Sequence, residues 1–338
     1  MMGKGMDQRR GVVAVAGATG FVGRSVVAEL LSRGFTARAL ARDARKAARV
    51  LAGDDARLEI VEGDVLEDGV AAGLVRTREG RAVDACVNLI GIIREAPGGQ
   101  TFQRMHVGAT RTLVEACVGA GVARFVQMSA LGVSEQGATR YQQTKAEAER
   151  IVRGAMRPDG TGMAWTIIRP SLIHGPDGEF MQMAASWARG RKLPLVAMPY
   201  FVRSAPGGGF ESAVVSPVYV GDVARVFGDV LENEEAVGEV YNLAGPERVT
   251  YPELLAWVRD HVPNGKQGMR IVGIPGKFAA MKAKAAARIG LRDALPFDDG
   301  MALMAIEDST AEMHKAEEQL GVRLVPFRET MAQYARSM

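Results

Sequence analysis

The chain has 338 residues, 47% hydrophobic and 24% charged, with a formal net charge of +3. That is length and apolar content enough for a sizeable core, in one large domain or two. The net charge is too small for nucleic-acid binding, and no basic cluster is interleaved with aromatics. Only two cysteines occur, Cys86 in an expected strand and Cys117 in an expected helix. They read as small core residues, neither a disulfide nor a metal pair, and no metal site is expected. Lys4, Arg9 and Arg10 precede an apolar stretch, as in a signal peptide, but that stretch is only about seven residues long and ends in glycines, so a strand explains it better. No apolar run reaches the ~20 residues of a spanning helix. A cytoplasmic protein is expected, with a peripheral position at a membrane as the alternative.

The first element is an apolar run, residues 12–16, followed by Gly17-x-x-Gly20-x-x-Gly23. Val22, Val26, Val27, Leu30 and Leu31 then form a helical stripe that Gly34 stops, and a second strand runs from Phe35 to Leu40. Gly17 suits a tight turn out of the strand. Gly20, without a Cβ, lets phosphates approach the backbone, and Gly23 lets the helix pack close to the strand. The free N–H groups and dipole at the helix start favour an anion. Gly17, Thr19, Gly20, Phe21, Val22 and Gly23 are therefore the expected pyrophosphate cradle.

The alternation continues with a helix over Arg42–Leu51 and a strand over Leu58–Val61 that ends in Glu62-Gly63-Asp64-Val65. A helix near Val70–Arg76, a strand over Ala82–Ile90 and a long helix over Phe102–Ala120 follow. Next come a strand over Arg124–Ser129, a helix over Tyr141–Gly154 and a strand over Trp165–Arg169. Apolar strands alternating with helices imply a parallel sheet covered on both faces.

The second half is less regular. Gly175-Pro176-Asp177-Gly178 marks a turn, and Pro206-Gly207-Gly208-Gly209 marks a surface loop, with a ligand lid as the other reading. Val214–Val220 reads as a strand returning to the sheet, Asp222 as the N-cap of a helix over Val223–Leu231, and Thr250–Glu253 as a capping box. Lys277–Arg288 reads as a solvated helix. The other reading is a basic amphipathic helix lying on a membrane or partner. The expected division is a dinucleotide domain at 11–175, with 214–235 returning to it, and a smaller substrate region from 176–213 and 236–338.

Two features bear on chemistry. An acidic residue at the end of the second strand holds the ribose of NAD, whereas an arginine accommodates the 2′-phosphate of NADP. Here Arg42 comes first, with Arg38 earlier on the strand, so NADP(H) is expected; Asp43 keeps NAD(H) open. Asp64 and Val65 are placed to approach the adenine, a turn aspartate being the plain reading. The second feature is Tyr141-x-x-x-Lys145, which puts both side chains on one helix face. A lysine ammonium beside the phenol would lower its pKa and let it exchange a proton with a substrate carbonyl or alcohol. Lys145 can also hold the nicotinamide ribose. Ser129, at a strand end, is the expected hydrogen-bond partner of the substrate oxygen, with Ser134 as the spare; a turn-capping hydroxyl is the plain reading of either. His174 edges the expected pocket, though a lone histidine is more often structural.

Together these residues resemble the short-chain dehydrogenase/reductase superfamily, in the branch with an extended C-terminal part, the NAD-dependent epimerase/dehydratase group. The glycine loop matches its cofactor loop, Asn88-Leu89-Ile90-Gly91 its fourth-strand motif and Tyr141-x-x-x-Lys145 its active site. Arg169-Pro170-Ser171 resembles the loop flanking the nicotinamide, and 217–224 and 241–246 resemble its later landmarks. Within that group the likeness is to atypical members similar to the nucleotide-binding accessory subunit of respiratory complex I and its bacterial relatives. The resemblance implies a Rossmann-type doubly wound α/β fold with a smaller C-terminal substrate-binding region. It implies that Asn88, Gly91 and Pro170 line the cofactor's path, and it implies hydride transfer to a carbonyl or conjugated double bond of a small molecule. The alternative it carries is a non-catalytic NADPH-binding subunit docked on a membrane redox complex. Ala130-Leu131-Gly132-Val133 departs from the Ser-rich segment of sugar-nucleotide epimerases, which argues against a sugar-nucleotide substrate.

Overall fold

The computed structural model describes residues 10–51, 55–156, 162–290, 295 and 297–338; Lys4 and Arg9, weighed above as part of a leader-like pattern, lie outside them. In chain order the first half holds β1 (Val12–Ala16), α1 (Phe21–Ser32), β2 (Thr36–Ala41), α2 (Ala44–Val50), β3 (Leu58–Glu62), α3 (Val70–Leu74) and β4 (Ala85–Asn88). A π-helical stretch, Gln103–Gly108, leads into α4 (Ala109–Ala120), then β5 (Arg124–Met128), α5 (Arg140–Arg153) and β6 (Ala164–Pro170). The second half holds β7 (Ile173–His174), α6 (Glu179–Ala188), β8 (Ala197–Ser204), β9 (Phe210–Ser212), β10 (Val214–Val215) and β11 (Val218–Tyr219). It continues with α7 (Val220–Glu232), β12 (Glu239–Leu243), β13 (Val249–Thr250), α8 (Tyr251–His261) and β14 (Arg270–Pro275). It ends in α9 (Gly276–Arg288), α10 (Asp299–Met304), α11 (His314–Leu320) and α12 (Phe327–Tyr334).

Seven strands form one sheet in the order β12-β6-β5-β4-β1-β2-β3, every pair parallel. The strand order reverses between β1 and β4, so the crevice for a ligand opens at the carboxyl ends of those two strands. Side chains alternate across the sheet as strand geometry requires. Val13, Val15, Ala37, Ala39, Val87, Val126 and Ile168 face α1 and α7, whereas Ala14, Ala16, Leu40, Cys86, Phe125 and Ile167 face α3, α4 and α5. With both faces buried, β1 reads as a continuous apolar run, while β2, β3, β5 and β12 admit charged or polar residues such as Arg38, Glu59, Arg124 and Asn242. Cys86 and Cys117 are buried free thiols in the second of these layers.

Four expectations need correction. Val214–Val220 does not enter the sheet: it splits into β10, paired with β13, and β11, paired with β7. The seventh sheet strand is instead β12, from the segment assigned above to the smaller region, and Ala316 and Val322 beyond α10 also pack into the α1–α7 layer. Asp222 does not cap a helix, since α7 already starts at Val220; its buried carboxylate accepts the Val325 N–H at 2.8 Å and pairs with Arg225. Finally, the long helix expected from Phe102 opens with the π-helical turn before becoming α-helical. The capping box at Thr250 and Glu253 is present as read, with Pro252 in the first turn.

The second layer packs α6, α8 and α12 on one face of a small sheet ordered β14-β8-β9, through Met198, Tyr200 and Ile271. Phe201 and Ile274 point to its other face, where α9 and α10 cover them. Pro206–Gly209 is the turn between the antiparallel β8 and β9.

Helix α7 is pinned to α1 by Arg33, which bonds Glu29, Asp229, Glu232 and the Arg225 carbonyl, lying across Gly228 where a Cβ would come within 2.4 Å of its Nε. Phe227 is fully buried in the same layer. Truncating a buried Phe loses both transfer energy and packing. Phe227→Ala is therefore expected to cost about 3–5 kcal/mol, measured as a fall in the urea midpoint, whereas Phe278→Ala on the exposed side of α9 leaves it unchanged.

Candidate nucleotide and active site

The glycine loop is built by close contacts. Gly17 sits at φ +81°, and a Cβ there would lie 2.9 Å from the Leu89 carbonyl carbon. A Cβ on Gly23 would lie 2.1 Å from the Gly17 oxygen and 2.6 Å from the Ala18 oxygen. Real side chains do not tolerate such distances, so the helix start lies directly against the end of β1, its N–H groups pointing outward. Gly20 is exposed and Thr19 half-buried at this rim; Val22 is buried under it. Phe21 turns away and packs its ring on Gly175 and Gly178, and Arg24 binds Asp177 at 3.1 Å, so the 175–178 turn is fastened to α1. The cradle fits a dinucleotide pyrophosphate.

At the end of β2, Arg42 is exposed. Asp43 is occupied as the N-cap of α2, accepting the Lys46 N–H at 2.8 Å. Arg38 faces away from the crevice: it is buried, pairs with Glu59 and donates to the Leu74 and Gly73 carbonyls. Asp64 accepts the Leu66 N–H at 3.0 Å, a turn role, at the strand end where the adenine was expected. Val65 is buried in the core rather than presented to a base.

At the end of β4, Asn88 is fully buried and fully used. Its amide donates to Thr110 and Gln127, and its oxygen accepts the Ile90 N–H at 3.0 Å. It shapes the turn that brings Gly91 to Lys145. A Cβ on Gly91 would lie 3.0 Å from the Lys145 Nζ and 3.8 Å from the His106 Nε2. The exposed Gly91 backbone, Lys145 and His106 thus converge. His106 is supplied by the π-helical turn, a local form often found at functional sites. Its Nδ1 is 2.9 Å from the Thr144 hydroxyl and its Nε2 3.0 Å from the Ile92 carbonyl; burial, with Lys145 nearby, lowers its pKa to about 2. Sequence reasoning missed His106, because nothing in its helical context marks it.

Tyr141 and Lys145 lie on one face of α5, as their spacing requires. The Tyr141 ring stands edge-on to His106 and Phe102, with centroids 5.3 and 5.9 Å away. Burial pushes its pKa up to about 12, the reverse of the lowering expected from the lysine. Lys145 is buried as well, which brings its pKa down to about 8 against the opposing pull of Glu149, and its Nζ donates to the Met128 carbonyl at 3.2 Å. The phenol is thus protonated at neutral pH.

Ser129 sits at the strand end but is not a free hydroxyl. It is buried and donates to Glu149 at 2.5 Å. Glu149 also accepts from Arg169 at 2.7 and 2.6 Å and from Arg153 at 3.2 Å. Burial raises the Glu149 pKa, but the bonds from Arg169 and Ser129 outweigh it and hold the carboxyl below its usual range. Glu149 is four residues after Lys145, the one sign in the sequence of this cluster. Ser134 accepts the Gln136 N–H in a turn. Pro170 is buried at the end of β6, paired in register with Leu243. His174 does not edge the crevice: it is fully buried among Tyr219, Phe327 and Tyr334, its Nδ1 2.9 Å from the Tyr334 hydroxyl, and burial lowers its pKa to about 3. Among the described residues no cluster of His, Cys, Asp or Glu could hold a metal ion, and no helix is long and apolar enough to cross a membrane.

Residues 17–185 match the model of a family described as NAD(P)H-binding. NADH dehydrogenase (ubiquinone) 1 alpha subcomplex subunit 9, mitochondrial, of Rattus norvegicus is 30% identical over 258 residues, 75% of this chain and 62% of its own length. Ceramide reductase of Caulobacter vibrioides is 34% identical over 189 residues, 56% of this chain and 55% of its own. The chain thus spans about three fifths of the length of such curated relatives. The dTDP-glucose 4,6-dehydratase DesIV of Streptomyces venezuelae, solved with NAD and TYD bound, superposes with a TM-score of 0.69 at 22% identity over 95% of each chain. That likeness is one of fold.

The depressed Lys145 pKa has a consequence for stability. Between about pH 8 and its ordinary value of 10.5, the folded lysine is neutral while the unfolded one keeps its proton. The unfolded state then binds more protons, so stability rises with pH in that window. Raising the pH from 8 to 9.5 is expected to stabilise the wild type over Lys145→Met by about 1–2 kcal/mol, read from urea midpoints of the two proteins.

Proposed function

From the premise that this chain belongs to the NAD(P)H-binding family, we propose that it is an NADPH-dependent oxidoreductase of the short-chain dehydrogenase/reductase type. It reduces a carbonyl or conjugated double bond of a small molecule. The observation that carries the reading is the convergence of Lys145, His106 and the exposed Gly91 backbone at the carboxyl edge of the sheet, beside the strand-order reversal, with the Tyr141 ring against His106 and on the same helix face as Lys145. When bound, the nicotinamide supplies a hydride. The 17–23 loop binds the pyrophosphate, and Lys145 holds the nicotinamide ribose. Tyr141, protonated at neutral pH, is in the form a reduction needs, since its O–H donates the proton to the substrate oxygen or carbon. Glu149 is a positioning residue: it ties Ser129, Arg169 and the face of α5 that carries Lys145 into one cluster. Arg42, exposed where Asp43 is spent on capping α2, favours the 2′-phosphate of NADP. The name of the Caulobacter relative supports reduction as the direction.

A second reading is favoured by the mitochondrial relative: a non-catalytic NADPH-binding subunit docked on a membrane redox complex. Tyr141 separates the two. Tyr141→Phe is expected to lower kcat by 10²–10⁴-fold, the usual worth of a positioned general acid, while the Kd for NADPH, from fluorescence titration, stays within about threefold. Turnover by the wild type that survives this change intact overturns the assignment of Tyr141, and a wild type that binds NADPH but reduces nothing in a carbonyl and enone panel leaves the second reading standing. Arg42→Ala is expected to weaken NADPH by about 10- to 150-fold and NADH hardly at all, since one arginine–phosphate contact is worth about 1.5–3 kcal/mol; calorimetric titration with both nucleotides checks it.

A further inference from the structure

Ten large apolar side chains are exposed among the described residues, and eight of them fall on one small part of the molecule. These are Leu193, Leu195 and Val196 in the segment entering β8, Phe210 on β9, Val272 on β14, and Phe278, Met281 and Ile289 on or just beyond α9. Leu193, Val196 and Ile289 are more than 70% exposed. Scattered single apolar residues need no explanation, but a concentration on one unit marks a binding surface.

Cations outnumber acids in the chain stretches that carry them. Residues 180–210 and 261–290 contain ten Lys and Arg and no Asp or Glu, in a chain whose net charge is only +3, and one of the ten, Arg203, is paired with Glu211 on β9 and with Asp308. Helix α9 shows the pattern at close range. Ala279, Ala280 and Ala283 face inward, while Lys277, Phe278, Met281, Lys282, Lys284 and Arg288 are exposed. The Lys282 ammonium lies 4.6 Å from the Phe278 ring centroid. Strand register extends the surface. Ile274 and Phe201 are paired on the face that α9 covers, so Val272 and Arg270, two and four residues earlier on β14, share that face and stand exposed beyond it, whereas Phe210, paired with Ser204, lies on the opposite face of the small sheet and is not part of this surface. Arg270 pairs with Ala197, directly after the 191–196 segment.

We propose that this face docks on the surface of an anionic phospholipid bilayer. A protein partner would need acidic groups matched in position to each base. A lipid surface needs only excess cations around protruding apolar anchors, with lysine stems reaching from the acyl boundary to the headgroups. The inner side of α9 is linked to α5. Helix α10, packed on α9, approaches Thr139 at the start of α5, where a Cβ on Gly300 would lie 3.9 Å from the Thr139 Cβ, and Glu307 accepts from Gln142 at 2.7 Å. The proposal concerns a surface outside the cofactor site and does not rest on the reaction.

The test is flotation of the full chain with vesicles of phosphatidylcholine alone or with 30% phosphatidylglycerol, at 0.1 M salt. Binding to the anionic vesicles is expected to be at least tenfold tighter than to neutral ones. Lys277→Gln/Lys282→Gln/Lys284→Gln/Arg288→Gln is expected to weaken it on the order of a hundredfold, about fivefold or less per cation, and Phe278→Ser/Met281→Ser/Ile289→Ser at least tenfold. NADPH affinity measured on the same samples should match the wild type, which shows that the variants fold. Equal binding to both vesicle types, wild-type flotation by both variants, or no flotation with the anionic vesicles, with or without a dimer that the variants abolish, would overturn the proposal. Loss of NADPH binding with flotation intact would count against the cofactor reading alone.

Discussion

The closeness of α1 to the end of β1 is the constraint on which the rest hangs. With the Gly17 carbonyl 2.1 Å from the point where a side chain on Gly23 would begin, the helix axis cannot sit anywhere else. That position sets the outward N–H groups at the cradle, the line of Val26 and Leu30 against the sheet, and the flank on which α7 lies. Phe21, pressed on Gly175 and Gly178, carries the same constraint across the crevice to the turn after β7. One missing methyl group thus relates the glycine loop to both layers of the fold.

The crevice treats its buried charges in two ways. Glu149 is surrounded by donors from β5, β6 and its own helix, so it stays ionised at little cost and locks those elements together. Lys145, one turn away, has a single carbonyl to donate to, and burial leaves its proton loosely held. A well-paired charge fixes geometry; a poorly paired one can change state. Tyr141, with aromatic neighbours on two sides and no charged partner close enough to lower its pKa, keeps its proton.

How much of this was legible depended on the range of the interaction. The sheet could be read because its strands are short, mostly apolar and alternate with helices, and the cradle and the Tyr141–Lys145 pair because each is written within a few residues. Val214–Val220 misled because a short apolar run looks the same whether it joins a seven-stranded sheet or two small ladders. Ser129 and Asp222 misled because what decides their roles lies 20 and 103 residues away, in Glu149 and Val325. His106 was invisible because a π-helical turn follows from tertiary packing, not from local preference.

Strand β12 and helix α7 give the molecule an inheritance that its family match does not display. The matched span, residues 17–185, ends before either of them. Yet α7 covers the apolar flank of α1, and β12 covers the open edge of β6. The recognisable half is therefore not a module that recombination could lift out intact. Cut at residue 185, the chain would leave the apolar flank of α1 and the hydrogen-bonding edge of β6 in water.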